Sequence, residues 1–474
     1  MKPENIKAVS LEEMLEARER RAARQAALRE TYGLPVVSFT MNIAGPIKNS
    51  PLIRRGFELG CAQLDKALAC EGFPVIWRET ESFAAGNEAF YVTSADPFRL
   101  KAMAAELEDA SPMGRLFDID VLDRDGRKIS RTDTGRGERL CLICGGPAKA
   151  CARSRRHTVE ELSRRTGELL REGTEDEDAK AIAALACRAV LYEVTTTPKP
   201  GLVDRRNSGS HRDMDMFTFM NSASALWPYF YRSARLGLQD SAMAQPYSIS
   251  LSLPLSAPAP APPSHTFAAL RRLGKNAERD MFAATGGVNT HKGAIFTVGL
   301  MCAALGRLPA ALRRCPKAVL GECAAMCRGV TAADFDGLTA QTAVTTGQKL
   351  FLKYGITGVR GQAEAGFPAV LNAGLPALER GLAAGYGFDR AGAAALLAIM
   401  AAVDDTNMIA RGGRREQLRE AEDAAKLLKD TPYPDRRRLE ALDDLYIEKN
   451  LSPGGSADLL ALCYLLYFIK TEGV

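Results

Sequence analysis

The chain has 474 residues, 46% of them apolar and 25% charged, with a formal net charge of +5. That length exceeds one ordinary core and predicts two or three domains. The composition excludes a disordered or membrane-embedded chain, and so small a net charge argues against a protein built around nucleic acid.

The eleven cysteines are odd in number and scattered, which fits a reducing cytoplasm better than a disulfide scaffold. The N-terminus has no apolar signal segment. The longest apolar run, near Ala391 to Val403, ends in Asp404 and Asp405 and is too short for a membrane span. The expectation is a cytoplasmic protein with neither a membrane nor nucleic acid as partner.

In chain order, Leu11 to Leu28 has the spacing of an amphipathic helix. Short β-type runs follow: LPVVSFTMNI from Leu34, FPVIW from Phe73 and AFYVTS from Ala89. A fourth, RLFDIDVLD from Arg115, meets RKIS across the Asp125-Gly126 turn, a hairpin signal. A helix opens near Thr158, where Thr158 and Glu161 have capping-box spacing. It is expected to fade into the charged stretch Arg171 to Lys180. Residues 1–175 thus read as an α+β domain, and residues 176–474 as an all-α domain in a multidomain chain. In the second, Ala181–Val194, Ala268–Ala284, Ala294–Leu305, Ala391–Ala410 and Ala457–Ile469 read as helices joined by glycine-rich loops. The proline-rich insertion at residues 256–264 reads as an extended segment without chemistry.

Two features of the first half carry chemistry. On a strand, Asp118 and Asp120 share one face while Phe117, Ile119 and Val121 share the other. Paired carboxylates repel unless a cation joins them, so Mg2+ is the physical expectation; the alternative is the solvated side of an edge strand. Arg131, with Lys48 and Arg54 earlier, suits a polyphosphate beside such a strand. Cys141, Cys144, Cys151 and His157 form C-x2-C-x6-C-x5-H, which reads either as a small Zn2+ knuckle or as reduced packing cysteines with a helix-start histidine.

The second half concentrates polar residues in loops before helices. TPKPGLVDRRNSGSHRDMD holds Lys199, Asp204, Asn207, His211, Asp213 and Asp215, and its prolines and glycines make it a rigid ligand cradle. GGVNTHKGAIF sets Asn289, Thr290, His291 and Lys292 before a helix, where free N–H groups and the dipole favour phosphate. Arg360 sits in a glycine-punctuated loop and can fork onto a phosphate or form a structural ion pair. If VDDTNMIARGG is helical, Asp404, Asn407 and Arg411 share one face. NLSPGGSADLLAL offers Ser452, Gly454 and Gly455 at another helix start. Several anion sites and surplus carboxylates suit a polyphosphate held through Mg2+. No Walker or dinucleotide pattern is present, which argues against a familiar nucleotide fold.

These five blocks, in order over Ala181–Val474, resemble the triphosphoribosyl-dephospho-CoA synthases (CitG). The resemblance implies an all-α enzyme that joins the ribose of ATP to 3'-dephospho-CoA with release of adenine. On that reading Asp213 or Asp215, with Asp404 and Asp405, holds Mg2+. Lys199, Lys292 and Arg411 hold phosphate, and His211 or His291 serves as acid or base. Asp204, Asn207, Asn289, Arg360, Ser452, Gly454 and Gly455 join the substrate site.

VVSFTMNIAGPIKNSPLIRRGFELG, GRLFDIDVLDRDGRKISR and CLICGGPAKACARSRRHTVEEL, over about Leu11–Leu170, resemble the citrate lyase holo-acyl-carrier-protein synthases (CitX). That resemblance implies transfer of the phosphoribosyl-dephospho-CoA group to a serine of the apo acyl carrier protein (γ subunit) of citrate lyase, with release of pyrophosphate. Asp118 and Asp120 would carry Mg2+ and catalysis. The product of the second half is the substrate of the first. The rival reading is a metal-dependent nucleotide or ADP-ribose hydrolase fused to a zinc-containing binding module.

Overall fold

The computed structural model describes residues 6–241 and 261–473. The bulk of the proline-rich insertion, residues 256–260, lies outside them. Contacts divide the chain after Glu177, and each part is taken by itself.

The first part contains α1 (Leu11–Tyr32), β1 (Val36–Met41), α2 (Pro51–Cys70), β2 (Val75–Phe83), β3 (Gly86–Thr93), α3 (Pro97–Asp109), β4 (Phe117–Leu122), β5 (Lys128–Ile129) and the short α4 (Ala148–Ser154). The strands form one antiparallel sheet in the order β2-β3-β1-β4-β5. Strand alternation decides what each face does. Val37, Phe39, Tyr91, Phe117, Ile119 and Val121 point to one side, where Phe57, Leu64, Leu100 and Ala104 of α2 and α3 cover them. Val36, Phe90 and Val92 point to the other and meet Leu28 of α1. The sequence did not single out α2 and α3, although their starts are signalled. Ser50 and Asp96 are side-chain N-caps, each followed by proline.

β5 pairs only with Val121 and Leu122 of β4, so the rest of β4's outer edge needs other partners. Side chains supply them. Arg139 Nη2 donates to Phe117 O at 2.6 Å, the Ile119 N–H donates to Glu108 Oε1 at 3.0 Å, and Lys101 Nζ donates to Ile119 O at 2.6 Å.

The second part begins within α5 (Val159–Thr195). The predicted capping box is present: Thr158 N donates to Glu161 Oε2 at 2.9 Å and Glu161 N to Thr158 Oγ1 at 3.1 Å. The helix does not fade over Arg171–Lys180. That stretch has no proline, and the buried Leu169, Leu170 and Ile182 on either side hold it to the helix despite Gly173 and two aspartates. After α5 come α6 (Met216–Asp240), α7 (Pro263–Ala284), α8 (Lys292–Arg307), α9 (Ala310–Arg313), α10 (Pro316–Met326), α11 (Val330–Phe335), α12 (Thr346–Tyr354) and α13 (Gly358–Glu364). A π turn at Val370–Gly374 leads to α14 (Leu375–Ala383), α15 (Gly387–Met400), α16 (Thr406–Asp430), α17 (Arg436–Glu448) and α18 (Gly454–Glu472). No strand occurs among the described residues of this part. α8, α15 and α18 are apolar on nearly every face, as suits helices enclosed by others.

The predicted helix Ala391–Ala410 is two helices. α15 ends at Met400, and Asp405, extended at φ −71 and ψ 108, caps α16. Asp404 therefore precedes α16 and shares no helical face with Asn407 and Arg411. No described helix is long and apolar enough to cross a membrane.

Candidate functional site

The loop Thr197–Asp215 folds tightly because small residues let its backbone segments touch. Gly201 has φ +68, and a Cβ there would lie 2.2 Å from Leu451 O; Gly209, at φ +55, would press a Cβ 2.6 Å from the Gly201 carbonyl. Asp204 accepts the N–H groups of Lys199 (2.9 Å), Arg206 (2.6 Å) and Asn207 (3.2 Å). Asn207 Nδ2 donates to Asp443 Oδ2 at 2.8 Å. These two residues, expected at the substrate, instead fasten the loop and do not line the cavity. Asp215, expected in catalysis, is the N-cap of α6. Its carboxylate accepts Thr218 N at 2.9 Å, and this bond holds its pKa below the usual value.

The remaining candidates border a cavity of about 1090 Å³: Lys199, His211, Asp213, Asn289, His291, Lys292, Arg360, Asp404, Asp405, Arg411, Ser452, Gly454 and Gly455. Starts of α8, α12, α16 and α18 border it too, which gathers positive helix ends around one space. α8 and α18 have no side-chain N-cap. Their third N–H groups are taken by carboxylates from elsewhere, Ala294 N by Asp458 and Ser456 N by Asp405 at 2.7 Å.

Asp405 is a fastener rather than a metal ligand. It is buried, and its two oxygens accept Asn407 N (2.9 Å), Met408 N (3.2 Å), Ser456 N (2.7 Å) and Ser456 Oγ (2.8 Å). These four bonds occupy its acceptor sites. Asp404 stays partly exposed and pairs with Arg414.

Lys199, expected on phosphate, is almost fully buried, and its Nζ donates to Glu193 O at 2.6 Å and Glu193 Oε1 at 2.5 Å. Burial raises the Glu193 pKa, with Lys199 opposing. Asp458 also borders the cavity; burial first, then Glu193 and Asp405, push its carboxyl well above the usual range. It lies so close to α8 that a Cβ on Gly293 would stand 1.7 Å from Asp458 Oδ2. Glu193 and Asp458 were not among the sequence-based site residues.

His291 Nδ1 lies 2.7 Å from Ser222 Oγ, and Phe219 meets the ring edge-on at 4.9 Å. Burial, then the charge of Lys199, lowers its pKa to about 3. His291 Nε2 and Thr290 Oγ1 are buried with no hydrogen-bond partner, and both residues line the cavity. Such orphaned polar atoms are costly unless a ligand satisfies them. His211 Nε2 is 2.9 Å from Ser452 Oγ, and Arg411 Nη2 donates to His211 Nδ1 at 3.3 Å. Burial and then Arg411 lower the His211 pKa. Arg411 also donates to Ser210 O (2.8 Å) and Asn450 Oδ1 (3.0 Å). Arg360 pairs with Asp334 at 2.6 Å and Lys292 with Glu278 at 2.9 Å.

In the first part, Asp118 and Asp120 do share a face, opposite Thr40 and Ser38 of β1. Burial, then Asp120, raises the Asp118 pKa. Arg139 lies 3.6 Å from Asp118, and Lys128 lies 2.7 Å from Asp120. Arg131, expected on phosphate, is taken by Glu108 (2.8 Å) and Asp109 (2.5 Å). Lys48 donates to Ile43 O at 2.6 Å, and Arg54 borders a hollow of about 300 Å³ whose lining lacks Asp118 and Asp120. The basic groups at the carboxylate pair are thus Arg139 and Lys128. Cys141, Cys144, Cys151 and His157 come together at one place.

Comparison with known proteins agrees with this division. Residues 9–173 match the family described as CitX, apo-citrate lyase phosphoribosyl-dephospho-CoA transferase. Residues 179–473 match CitG, ATP:dephospho-CoA triphosphoribosyl transferase. A "Protein CitXG" of Haemophilus influenzae is 35% identical over 98% of this chain and 97% of its own length. One of Leuconostoc mesenteroides is 31% identical over 97% of each. A 2-(5''-triphosphoribosyl)-3'-dephosphocoenzyme-A synthase of Pectobacterium atrosepticum is 41% identical over 60% of this chain and 87% of its own. The chain belongs to the CitX and CitG families joined in one polypeptide, and is a bifunctional transferase that makes and attaches the citrate lyase prosthetic group.

Proposed function

We propose that the cavity of residues 178–473 takes ATP and 3'-dephospho-CoA together and passes the ribose from adenine to the dephospho-CoA 2'-hydroxyl. The observation that carries this is the meeting of uncapped helix starts with the orphaned His291 Nε2 and Thr290 Oγ1 in one cavity. The first two N–H groups of α8 and α18, ahead of those that Asp458 and Asp405 take, face the phosphates together with Lys292, Arg360 and Arg411. The 2'-hydroxyl oxygen bonds to the ribose C1 as the bond from C1 to adenine N9 breaks. As Arg411 turns to phosphate it frees His211 Nδ1, the unprotonated nitrogen of a ring that burial and Arg411 keep neutral near pH 7, and Nδ1 accepts the hydroxyl proton. Asp458, kept protonated by its surroundings, gives a proton to the departing adenine. Asp213 and Asp404 fit a Mg2+ ion, since each is a cavity carboxylate exposed enough to offer oxygens. When bound, the ion neutralises the triphosphate.

In residues 6–177, Asp118 and Asp120 fit a Mg2+ ion as adjacent carboxylates whose repulsion a cation relieves. The ion, when bound, supplies positive charge to the transferred phosphate. Arg139 and Lys128 add theirs as the serine oxygen of the apo acyl carrier protein bonds to phosphorus and pyrophosphate leaves. Arg139 also orders the edge of β4 beneath the pair.

The test is adenine release from ATP by the full chain. Release that depends on added dephospho-CoA is the expected result. Release at the same rate without it would mark a hydrolase instead, and no mass gain on the acyl carrier serine would remove the second assignment.

A further inference from the structure

Cys141, Cys144, Cys151 and His157 take no part in either reaction above. Each offers one ligand atom, and the four atoms lie within 4.8 Å of one another. Cys144 and Cys151 Sγ are 3.5 Å apart, near the edge of about 3.8 Å expected for a tetrahedron of Zn–S bonds of about 2.3 Å.

The backbone is arranged for such a centre. An isolated antiparallel bridge between Leu140 and Pro147 closes the turn. Within it, Cys141 N donates to Gly146 O at 2.6 Å and Gly145 N to Cys141 O at 3.2 Å. The Ile143 N–H points at Cys141 Sγ at 3.5 Å, and the Gly146 N–H bonds the Cys144 sulfur. Donors aimed at sulfur favour thiolates over thiols. α4 then supplies Cys151, and a left-handed Arg155 (φ +47) turns the chain so that His157 returns to the cluster. His157 Nε2 is buried without a hydrogen-bond partner.

We propose that these four side chains hold one Zn2+ ion in a closed, structural Cys3His centre. On binding, the thiol protons leave to solvent. Three thiolates and one dication leave a single negative charge, in a stretch that also carries Lys149, Arg153, Arg155 and Arg156. The centre is tied to the catalytic face. Arg115 Nη2 donates to Leu140 O (2.8 Å) and Cys141 O (3.2 Å), and Arg139, just before the first ligand, reaches Phe117 O and Asp118. The ion thereby fixes the loop from which Arg139 extends toward Asp118.

The full chain, purified under reducing conditions, is dialysed against metal-free buffer and its zinc counted by mass spectrometry. One zinc per chain is expected, together with intense visible bands of tetrahedral, thiolate-bound cobalt after Co2+ exchange. Cys144→Ser/Cys151→Ser should lose the metal while adenine release from the second part continues, which shows that the rest of the chain is folded. His157→Cys should keep a tetrahedral centre with a stronger sulfur-to-cobalt band, and this holds the test open if the serine variant does not fold. Zinc-free protein, weak octahedral cobalt bands, zinc retained by the double variant, or a Cys144–Cys151 disulfide in place of metal would each overturn the proposal.

Discussion

His291 makes its own contribution to how the second part responds to acid. Its pKa in the fold is about 3, against about 6.5 for an unperturbed histidine. Above pH 6.5 the ring is neutral in both states and costs nothing. Below it the unfolded chain takes up a proton that the fold refuses, so stability falls between about pH 6.5 and 3, by at most roughly 1.4 kcal/mol per pH unit. His291→Asn should flatten that decline in urea titrations at pH 6.5 and 4.5; an unchanged slope would show that the loss lies elsewhere. Asp458 has the opposite sign in catalysis. Its raised pKa keeps the proton that adenine needs, so release should fade as pH rises through that value. Asp458→Asn keeps an acceptor for the Ala294 N–H but cannot donate a proton to the leaving group, so adenine release should drop roughly 10²–10⁴-fold. A loss confined to the KM for ATP would assign Asp458 to binding alone. His211 and His291 were legible in the sequence because they stand in unusual loops, and Arg411 because it follows a polar stripe after an apolar run. Glu193 and Asp458 were not site candidates, because each sits in a locally apolar stretch, AVLYEV and ADLLAL, and nothing local shows that those helix ends meet. The available signal was the isolation itself, since a charge among apolar residues needs a partner.

At the scale of elements, the neighbours Asp404 and Asp405 separate cleanly. Asp405 joins the starts of α16 and α18, so Asp405→Ala should cost about 2–4 kcal/mol from a lost cap and stranded N–H groups. Asp404→Ala removes a partly exposed ion pair and should cost under about 1 kcal/mol while reducing adenine release. Equal stability losses in denaturant melts would contradict the division of roles. The sequence periodicity ran one helix through this region because Ala391–Val403 is so rich in alanine. The pair Asp-Thr that starts α16 was the overlooked cap. Likewise the strands of the sheet were legible as short β-type runs, with alternation only in β4 and the hairpin at Asp125-Gly126. α2 and α3 passed unremarked despite Ser-Pro and Asp-Pro at their starts. The end expected at Arg171–Lys180 failed because charge alone does not stop a helix that has no proline and packs buried residues on both sides.

At the scale of the molecule, the two sets of groups proposed to react fall in different parts of the chain, Asp118 and Asp120 before Glu177 and the cavity residues after it. Asp118→Asn should therefore abolish attachment to the acyl carrier protein and leave adenine release unchanged, with Asp458→Asn giving the reverse when ready-made triphosphoribosyl-dephospho-CoA is supplied. Loss of both activities in either variant would contradict independent sites. The order of the two families was legible because their motifs are dense in both halves. Helix α5 adds a consequence for how such a chain can be divided. Its Leu169 and Leu170 belong to the cluster of Ile43, Ile53 and Leu116, whereas Ile182, Ala186 and Val190 belong to the core of the second part. A gene split or protease nick at residue 177 would sever one continuous helix, stripping the downstream piece of the Thr158 cap and leaving the first N–H groups of its new end without partners. A split before Thr158 would instead carry Leu169 and Leu170 away from the apolar cluster they complete. Either cut therefore costs one part a helix start or the other two buried leucines, so fragments cut at residue 177 or before Thr158 should melt below the full chain in denaturant titrations.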